Sequence, residues 1–135
     1  MQKDTYIFPC IFIYKDGGGI DINFPDLDGC ISYGEDEEKA FNNAKEALSL
    51  HLYGMEQDND TIPKPSSIRD IVLESHEIIL LVEVYMPPFR AKQHNKSVNK
   101  TLTLPQWLNI EAEQAGINFS QTLQRALKEE LQIAD

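Results

Sequence analysis

The sequence predicts an α+β protein in two parts, an N-terminal β-β-β-α-β domain and a C-terminal strand-helix-helix module. Two patterns of apolar residues support this prediction: five short stretches favour strands, and three longer stretches with apolar residues at three-to-four spacing favour helices. Charge divides in the same way. Residues 1–86 carry 17 acidic and 6 basic side chains, a net of −11, whereas residues 87–135 carry 5 and 6, a net of +1.

Three predicted strands open the N-terminal domain. Residues 5–14 are rich in β-branched and aromatic side chains, and the glycines at 17–19 supply the positive φ angles of a hairpin turn. Residues 20–24 alternate apolar and polar side chains, as a half-buried strand does. Residues 30–34 form a short third strand.

A helix follows the third strand. The acidic residues at 35–38 suit a helix start, because carboxylates interact favourably with the positive end of the helix dipole. Between Ala40 and Leu52 the apolar residues lie on one face. Gly54 marks the predicted end of this helix.

The boundary between the two parts follows the most hydrophobic strand, residues 78–85, which we expect at the centre of the sheet. Two consecutive prolines stop this strand. We therefore divide the chain into three parts: a domain over residues 1–86, a polar, basic linker over 87–96, and a second domain over 97–135.

Other features argue against several classes of protein. No apolar run approaches the roughly 20 residues of a membrane span, and the N-terminus lacks the apolar core of a signal peptide, so we expect a cytoplasmic protein with no membrane partner. Cys10 and Cys30 lack metal-ligand spacing and are predicted to be buried and reduced. His51, His76 and His94 are widely separated, so we expect no metal site and no cofactor.

The C-terminal module has clear start and stop signals. Residues 98–104 alternate apolar and polar side chains, which predicts a strand. Pro105 suits the first position of a helix, and Gly116 ends it. Asn118 then caps a second helix, with Gln121 as the reciprocal partner of a capping box.

This module predicts a homodimer, or a pair of dimers. A lone strand leaves its backbone groups unpaired, and two helices of this length bury too little surface to be stable alone. Two copies solve both problems, because their strands form an antiparallel ribbon and their four helices close one core. The predicted dimer core consists of the apolar residues Leu102, Leu104, Trp107, Leu108, Leu123 and Leu127.

A two-stranded ribbon fits the major groove of DNA. Its polar face would meet base edges, the amide groups at the start of the second helix would hold a phosphate, and nearby lysines would add positive charge. A merely solvated strand face is the alternative interpretation. The residues predicted for DNA binding are Asn99, Thr101, Thr103, Lys96, Lys100, Asn118 and Ser120.

Segments of both parts match one family pattern. In the N-terminal part the segment is Phe-Pro-Asp-Leu-Asp-Gly-Cys at 24–30, and in the C-terminal part the segments are 101–109, 115–121 and 123–131. With these segments the chain resembles the HicB-type antitoxins of the HicA/HicB toxin–antitoxin family. It departs from the family pattern at Asp28, where the family often has proline, and the loop is therefore more acidic.

The resemblance implies both fold and function. It implies an N-terminal domain similar to a truncated RNase H fold and a C-terminal ribbon-helix-helix domain. It also implies an antitoxin that neutralises a small basic HicA-like toxin, which cleaves messenger RNA, and that represses its own operon by binding operator DNA. An acidic domain suits a basic partner. The residues predicted to contact the toxin are Asp26, Asp28, Glu35, Asp36 and Glu38.

Two other classes of function remain open. A metal-dependent nuclease of the RNase H kind needs carboxylates that hold two metal ions, and the candidates here are Asp21, Asp26, Asp28 and Glu46. Because the first strand carries no carboxylate, we expect no catalytic residues and no enzyme activity. The second alternative is a stand-alone ribbon-helix-helix transcription regulator whose N-terminal domain senses a ligand or another protein.

Overall fold

The computed structural model describes residues 2–95 and 97–133. The chain divides into two compact units, Met1–Lys96 and Ser97–Asp135. None of the helices in the described ranges is both long and apolar enough to cross a membrane. The first unit contains, in chain order, β1 (Thr5–Tyr14), β2 (Ile20–Asn23), β3 (Ile31–Gly34), α1 (Glu37–Gln57), a 3-10 turn (Ile68–Asp70), β4 (Glu77–Tyr85) and α2 (Met86–His94).

The four strands form one antiparallel sheet in the order β3-β2-β1-β4, and the mixed α+β class is confirmed. Helix α1 and one face of the sheet enclose the core, whose fully buried side chains include Phe8, Phe24, Leu48, Leu52 and Val82. The prediction that the most hydrophobic strand is central was wrong. β4 lies at the edge of the sheet, since it pairs with β1 alone. β1 is an inner strand, because it pairs with β4 on one side and with β2 on the other.

The central strand β1 has an open edge along its N-terminal half, because β2 pairs only with the last four residues of β1. The N–H of Tyr14 donates to the carbonyl of His76, which directly precedes β4, at 3.0 Å. In an antiparallel strand the backbone N–H and C=O groups of successive residues face opposite sides. In β1 those of the even-numbered residues therefore face β4, and those of the odd-numbered residues face away from β4. The nitrogen of Pro9 therefore faces the open edge, where a missing N–H costs no ladder hydrogen bond.

The segment predicted as a linker, residues 87–96, instead contains most of helix α2. Its two prolines lie in the first turn, where backbone N–H groups have no intrahelical partner, so they do not break the helix. Phe89 packs against the core, and its ring meets the ring of Tyr53 edge-on at a centroid distance of 5.8 Å. The linker prediction was wrong because this apolar contact was not visible in the local sequence.

A buried ion pair joins α2 to the end of α1. The carboxylate of Glu56, with its side chain only 2% exposed, accepts hydrogen bonds from Nε and Nη2 of Arg90 at 3.0 and 2.7 Å. The hydroxyl of Tyr6 donates to the same carboxylate at 3.4 Å. Hydrogen bonding to Glu56 raises the pKa of Arg90. Helix α1 continues past its predicted end at Gly54 and reaches Gln57, which places Glu56 in its last turn.

The two cysteines lie in the core of the first unit, as predicted. Cys10 and Cys30 are both buried and neither forms a disulfide. Burial raises the pKa of Cys10 to about 12 and that of Cys30 to about 11. Both side chains are therefore protonated at neutral pH and pack as small apolar groups.

The second unit has two helices, α3 (Gln106–Gln114) and α4 (Phe119–Leu131). Gly116, with φ of 71°, ends the first of them, and the Asn118 side chain caps the second by accepting from the N–H of Gln121 at 3.0 Å. Both helices are confirmed. Residues 97–105 have no regular secondary structure in the single chain, where the predicted strand over 98–104 has no second strand to pair with.

We predict that Arg90→Met lowers the free energy of unfolding by about 3 kcal/mol, because it leaves the carboxylate of Glu56 buried without its cation. Urea denaturation followed by circular dichroism measures this change. Lys39→Met is the matched control, since it removes an exposed ion pair with Glu35 and should leave the unfolding midpoint nearly unchanged. Equal midpoints for the two variants would contradict a stabilising role for the Glu56–Arg90 pair.

Candidate DNA-binding and partner-binding surfaces

The second unit leaves its apolar side chains exposed. Among residues 97–133 no side chain is buried in the single chain. Trp107 is 65% exposed and Leu102 is 55% exposed, although sequence patterns place both in a core. Leu123 is half-buried, and the other residues of the predicted dimer core are exposed as well: Leu104, Leu108 and Leu127. Exposed apolar side chains in this number are typical of an interaction site.

The residues predicted to contact bases lie in the segment without secondary structure. Asn99, Thr101 and Thr103 are exposed and occupy every second position, as the polar face of a ribbon strand would. Lys100 lies in the same segment and is also exposed. Lys96, predicted to contact the DNA backbone, lies outside the described residues.

The start of α4 was predicted to hold a phosphate. Asn118 satisfies one of the N–H groups there, because its side chain accepts from Gln121. The hydroxyl of Ser120 accepts from the side-chain amide of Gln124 at 3.2 Å. Both residues are exposed. They therefore order the first turn of α4, and other backbone N–H groups of that turn point outwards at the positive end of the helix.

The basic stretch before the ribbon is smaller than the sequence indicates. Residues 87–110 contain no acidic side chain. Arg90 nevertheless pairs with Glu56 and has a side chain only 18% exposed. The positive charge available in residues 87–104 is therefore reduced to that of Lys92, Lys96 and Lys100.

Asp26 was predicted to contact the toxin, and the structure gives it a local bonding role as well. Its carboxylate accepts from the backbone N–H of Ser66 at 2.9 Å and also from the hydroxyl of that residue. These bonds join the loop between β2 and β3 to the long loop after α1. Asp28, in the same loop as Asp26, is exposed.

Asp26 and Asp28 share a cavity of about 550 Å³ with two aspartates that the sequence analysis did not single out. We call it the acidic cavity. Its walls combine carboxylates with the side chains of a histidine and several apolar residues, and the main ones are Asp26, Asp28, Asp58, Asp60, His51, Leu50 and Met55. Asp58 and Asp60 lie at the start of the long loop after α1. Only the fold brings that loop beside the loop between β2 and β3.

The other acidic residues predicted to contact the toxin lie at the start of α1. Asp36 caps the helix, since its side chain accepts from the N–H of Lys39 at 2.8 Å. Glu35 accepts from the ammonium group of the same lysine at 3.0 Å. Glu38 is exposed in the first turn. Two of these three carboxylates thus stabilise the helix start in addition to any contact with a partner.

Of the four carboxylates considered for a nuclease site, Asp26 and Asp28 line the acidic cavity. Asp21 pairs with Lys15 at 3.7 Å, and Glu46 is exposed on α1. In residues 2–95 and 97–133, one group of three metal-ligating side chains has its ligand atoms within 4.8 Å of one another, and it is formed by Glu74, His76 and Glu77. The sequence analysis missed this group. The sequence pattern that could have indicated it is one imidazole and two carboxylates within the four consecutive residues 74–77.

The fold is shared with chains of solved toxin–antitoxin proteins. A chain from a toxin–antitoxin complex of Streptococcus pneumoniae superimposes with a TM-score of 0.60 at 24% identity, over 93% of this chain and 99% of that chain. The antitoxin HicB of Burkholderia pseudomallei gives a TM-score of 0.54 at 21% identity, over 93% and 98%. The antitoxin HicB3 gives 0.51 at 26% identity, over 93% and 97%.

Sequence comparison adds a relative and a family. A protein of Haemophilus phage HP1 (strain HP1c1), described as an uncharacterized 14.9 kDa protein in the rep-hol intergenic region, is 39% identical over 62 residues, 46% of this chain. That match spans about half of the relative's own length, 47%. The family model of the HicB_like antitoxin of bacterial toxin-antitoxin systems matches residues 8–127. The chain therefore belongs to the HicB-like antitoxin family.

Proposed function

We propose that this protein is a cytoplasmic, non-enzymatic antitoxin that neutralises a small basic HicA-like toxin and represses its own operon. The observation that carries the proposal is the contrast between the two units. The first unit is acidic and has a closed core. The second has an exposed apolar surface beside a polar segment free of acidic residues. Family membership supports the antitoxin role.

We infer that the second unit forms a dimeric ribbon-helix-helix domain. Its exposed apolar side chains, Leu102 and Trp107 among them, need a second copy to be removed from water. Residues 98–104 need the same copy to satisfy their backbone groups as an antiparallel ribbon. We also infer that the first unit is the truncated RNase H fold of the family, which its β-β-β-α-β order supports.

The ribbon would bind operator DNA in the major groove. Asn99 can make two hydrogen bonds to an adenine edge, and Thr101 and Thr103 each offer a hydroxyl and a methyl group. Lys100 and the outward N–H groups at the start of α4 would hold phosphates. The protein as a whole carries a formal net charge of −10, so this local basic surface must outweigh the repulsion from the first unit.

The acidic first unit would bind the toxin. Residues 1–96 carry 17 acidic and 9 basic side chains, a net of −8. Such a surface attracts a basic protein at long range and orients it on approach. The acidic cavity, with Asp26 and Asp28, is the surface that we expect to receive basic side chains of the toxin. The start of α1 lies in the same unit and offers Glu35, Asp36 and Glu38.

Removing residues 97–135 tests the division of labour. We expect the remaining unit to lose operator binding in a gel-shift assay, because the ribbon is gone. It should still protect cells that express the toxin gene adjacent to the antitoxin gene, because its acidic surface is intact. A truncated protein that still shifts operator DNA would contradict the assignment of the ribbon. Operator binding by the full chain without any protection from the toxin would favour a stand-alone regulator.

Asn99→Ala should weaken operator binding by about 1–3 kcal/mol and relax the base preference at one position, because the bidentate amide is lost. Lys100→Ala should weaken binding to all sequences and reduce the slope of log affinity against log salt by about 1. Fluorescence anisotropy over a salt series measures both effects. Asn109→Ala is the control, since Asn109 lies on α3 and bonds to Glu113. An unchanged base preference in Asn99→Ala would remove Asn99 from the readout.

Trp107 is the single tryptophan of the chain and reports on dimerisation. We expect its emission to shift to longer wavelengths when dilution separates the copies, because the ring is exposed in one copy. Leu127→Asp should keep the protein monomeric in analytical ultracentrifugation and abolish operator binding. Leu50→Asp, an exposed position on α1, is the control and should leave the dimer intact. A dimer that survives Leu127→Asp would show that α4 is outside the interface.

A further inference from the structure

Glu74, His76 and Glu77 lie together on the turn that leads into β4, and the proposed function does not use them. One ligand atom of each side chain, a carboxylate oxygen or an imidazole nitrogen, lies within 4.8 Å of the other two. Glu74 and His76 are exposed, and Glu77 is half-buried. An ion from solvent can therefore reach all three groups.

Backbone hydrogen bonds hold this turn in one conformation. The N–H of Glu77 donates to the carbonyl of Glu74 at 3.1 Å, and the N–H of Glu74 donates to the Glu77 carboxylate at 3.0 Å. The bond from Tyr14 to the carbonyl of His76 attaches the turn to the end of β1. The three side chains are thus presented by a fixed backbone, and binding an ion would order little additional chain.

The distances inside the group fit an ion of a particular size. Nε2 of His76 lies 3.7 Å from a carboxylate oxygen of Glu74, which is too long for a good hydrogen bond. Two ligands that each lie about 2.1 Å from a tetrahedral metal ion are about 3.4 Å apart. A small shift of either side chain therefore brings both atoms to coordination distance.

The space beside the imidazole can complete the coordination. A cavity of about 310 Å³ is lined by His76, Tyr14, Glu37, Ser75 and Ile78. Glu37 accepts the hydroxyl hydrogen of Tyr14, so it is turned towards this cavity and held there. Water molecules in the cavity can fill the positions that three protein ligands leave open, with Glu37 as a further acceptor for them.

We propose that Glu74, His76 and Glu77 bind one divalent first-row transition metal ion, with Zn²⁺ the best match. An imidazole nitrogen with two carboxylate oxygens suits Zn²⁺, whereas Mg²⁺ and Ca²⁺ prefer oxygen ligands alone. The ion is structural. It ties the start of β4 together and offsets part of the negative charge of the first unit.

Isothermal titration of the tag-free, full-length protein with ZnCl₂ tests the site. We expect one ion per chain for the natural sequence and at least a tenfold loss of affinity in His76→Ala. Glu74→Gln should lose affinity in the same way, and it keeps the shape of the side chain if the histidine variant unfolds. MgCl₂ should produce no comparable binding. Circular dichroism verifies the fold of each variant.

His51→Ala is the matched control, because His51 lies in the acidic cavity and offers a competing imidazole beside carboxylates. It should bind Zn²⁺ as the natural sequence does. Loss of binding in His51→Ala with binding kept in His76→Ala would place the ion in the acidic cavity and overturn the proposal. Absence of Zn²⁺ binding to the natural sequence would overturn it equally.

Discussion

The apolar side chains of the second unit are not buried in one copy of the chain. The fold that we propose for this unit depends on covering them. Two short helices and an unpaired segment leave every side chain of residues 97–133 at least partly exposed. In the proposed dimer, a second copy supplies both a partner strand and the other half of a core. The proposed DNA-binding form is then favoured by a higher concentration of the protein, because association stabilises the folded unit.

The first unit depends on a different interaction, the buried pair of Glu56 and Arg90. This pair fixes α2 to the end of α1, and the hydroxyl of Tyr6 adds the first residues of β1 to the same junction. The unit closes a core within a single chain. The acidic unit therefore has a core within one chain, whereas the second unit leaves its apolar side chains at least partly exposed.

Local patterns predicted most of the elements, because alternation, helical spacing and capping residues act within a few positions. The strands of the sheet, both cysteines and the Asn118 cap follow from such patterns. Contacts between residues that are far apart in the sequence could not be predicted from such local patterns. Arg90, in the segment predicted as a linker, pairs with Glu56 across 34 positions, and Asp26 bonds to Ser66 across 40 positions. The acidic cavity also arises only when two separated loops meet.

Pro9 has a consequence for how copies of this chain meet. Besides the outer edges of β3 and β4, the sheet leaves one side of β1 without a partner strand over its first six residues. An unpaired edge is a template for joining chains into aggregates. Pro9 removes a donor from the middle of the β1 edge, so a foreign strand cannot form a continuous ladder there. Strand-to-strand aggregation is thereby disfavoured along this part of β1, and the pairing of strands in the proposed dimer is left to residues 98–104.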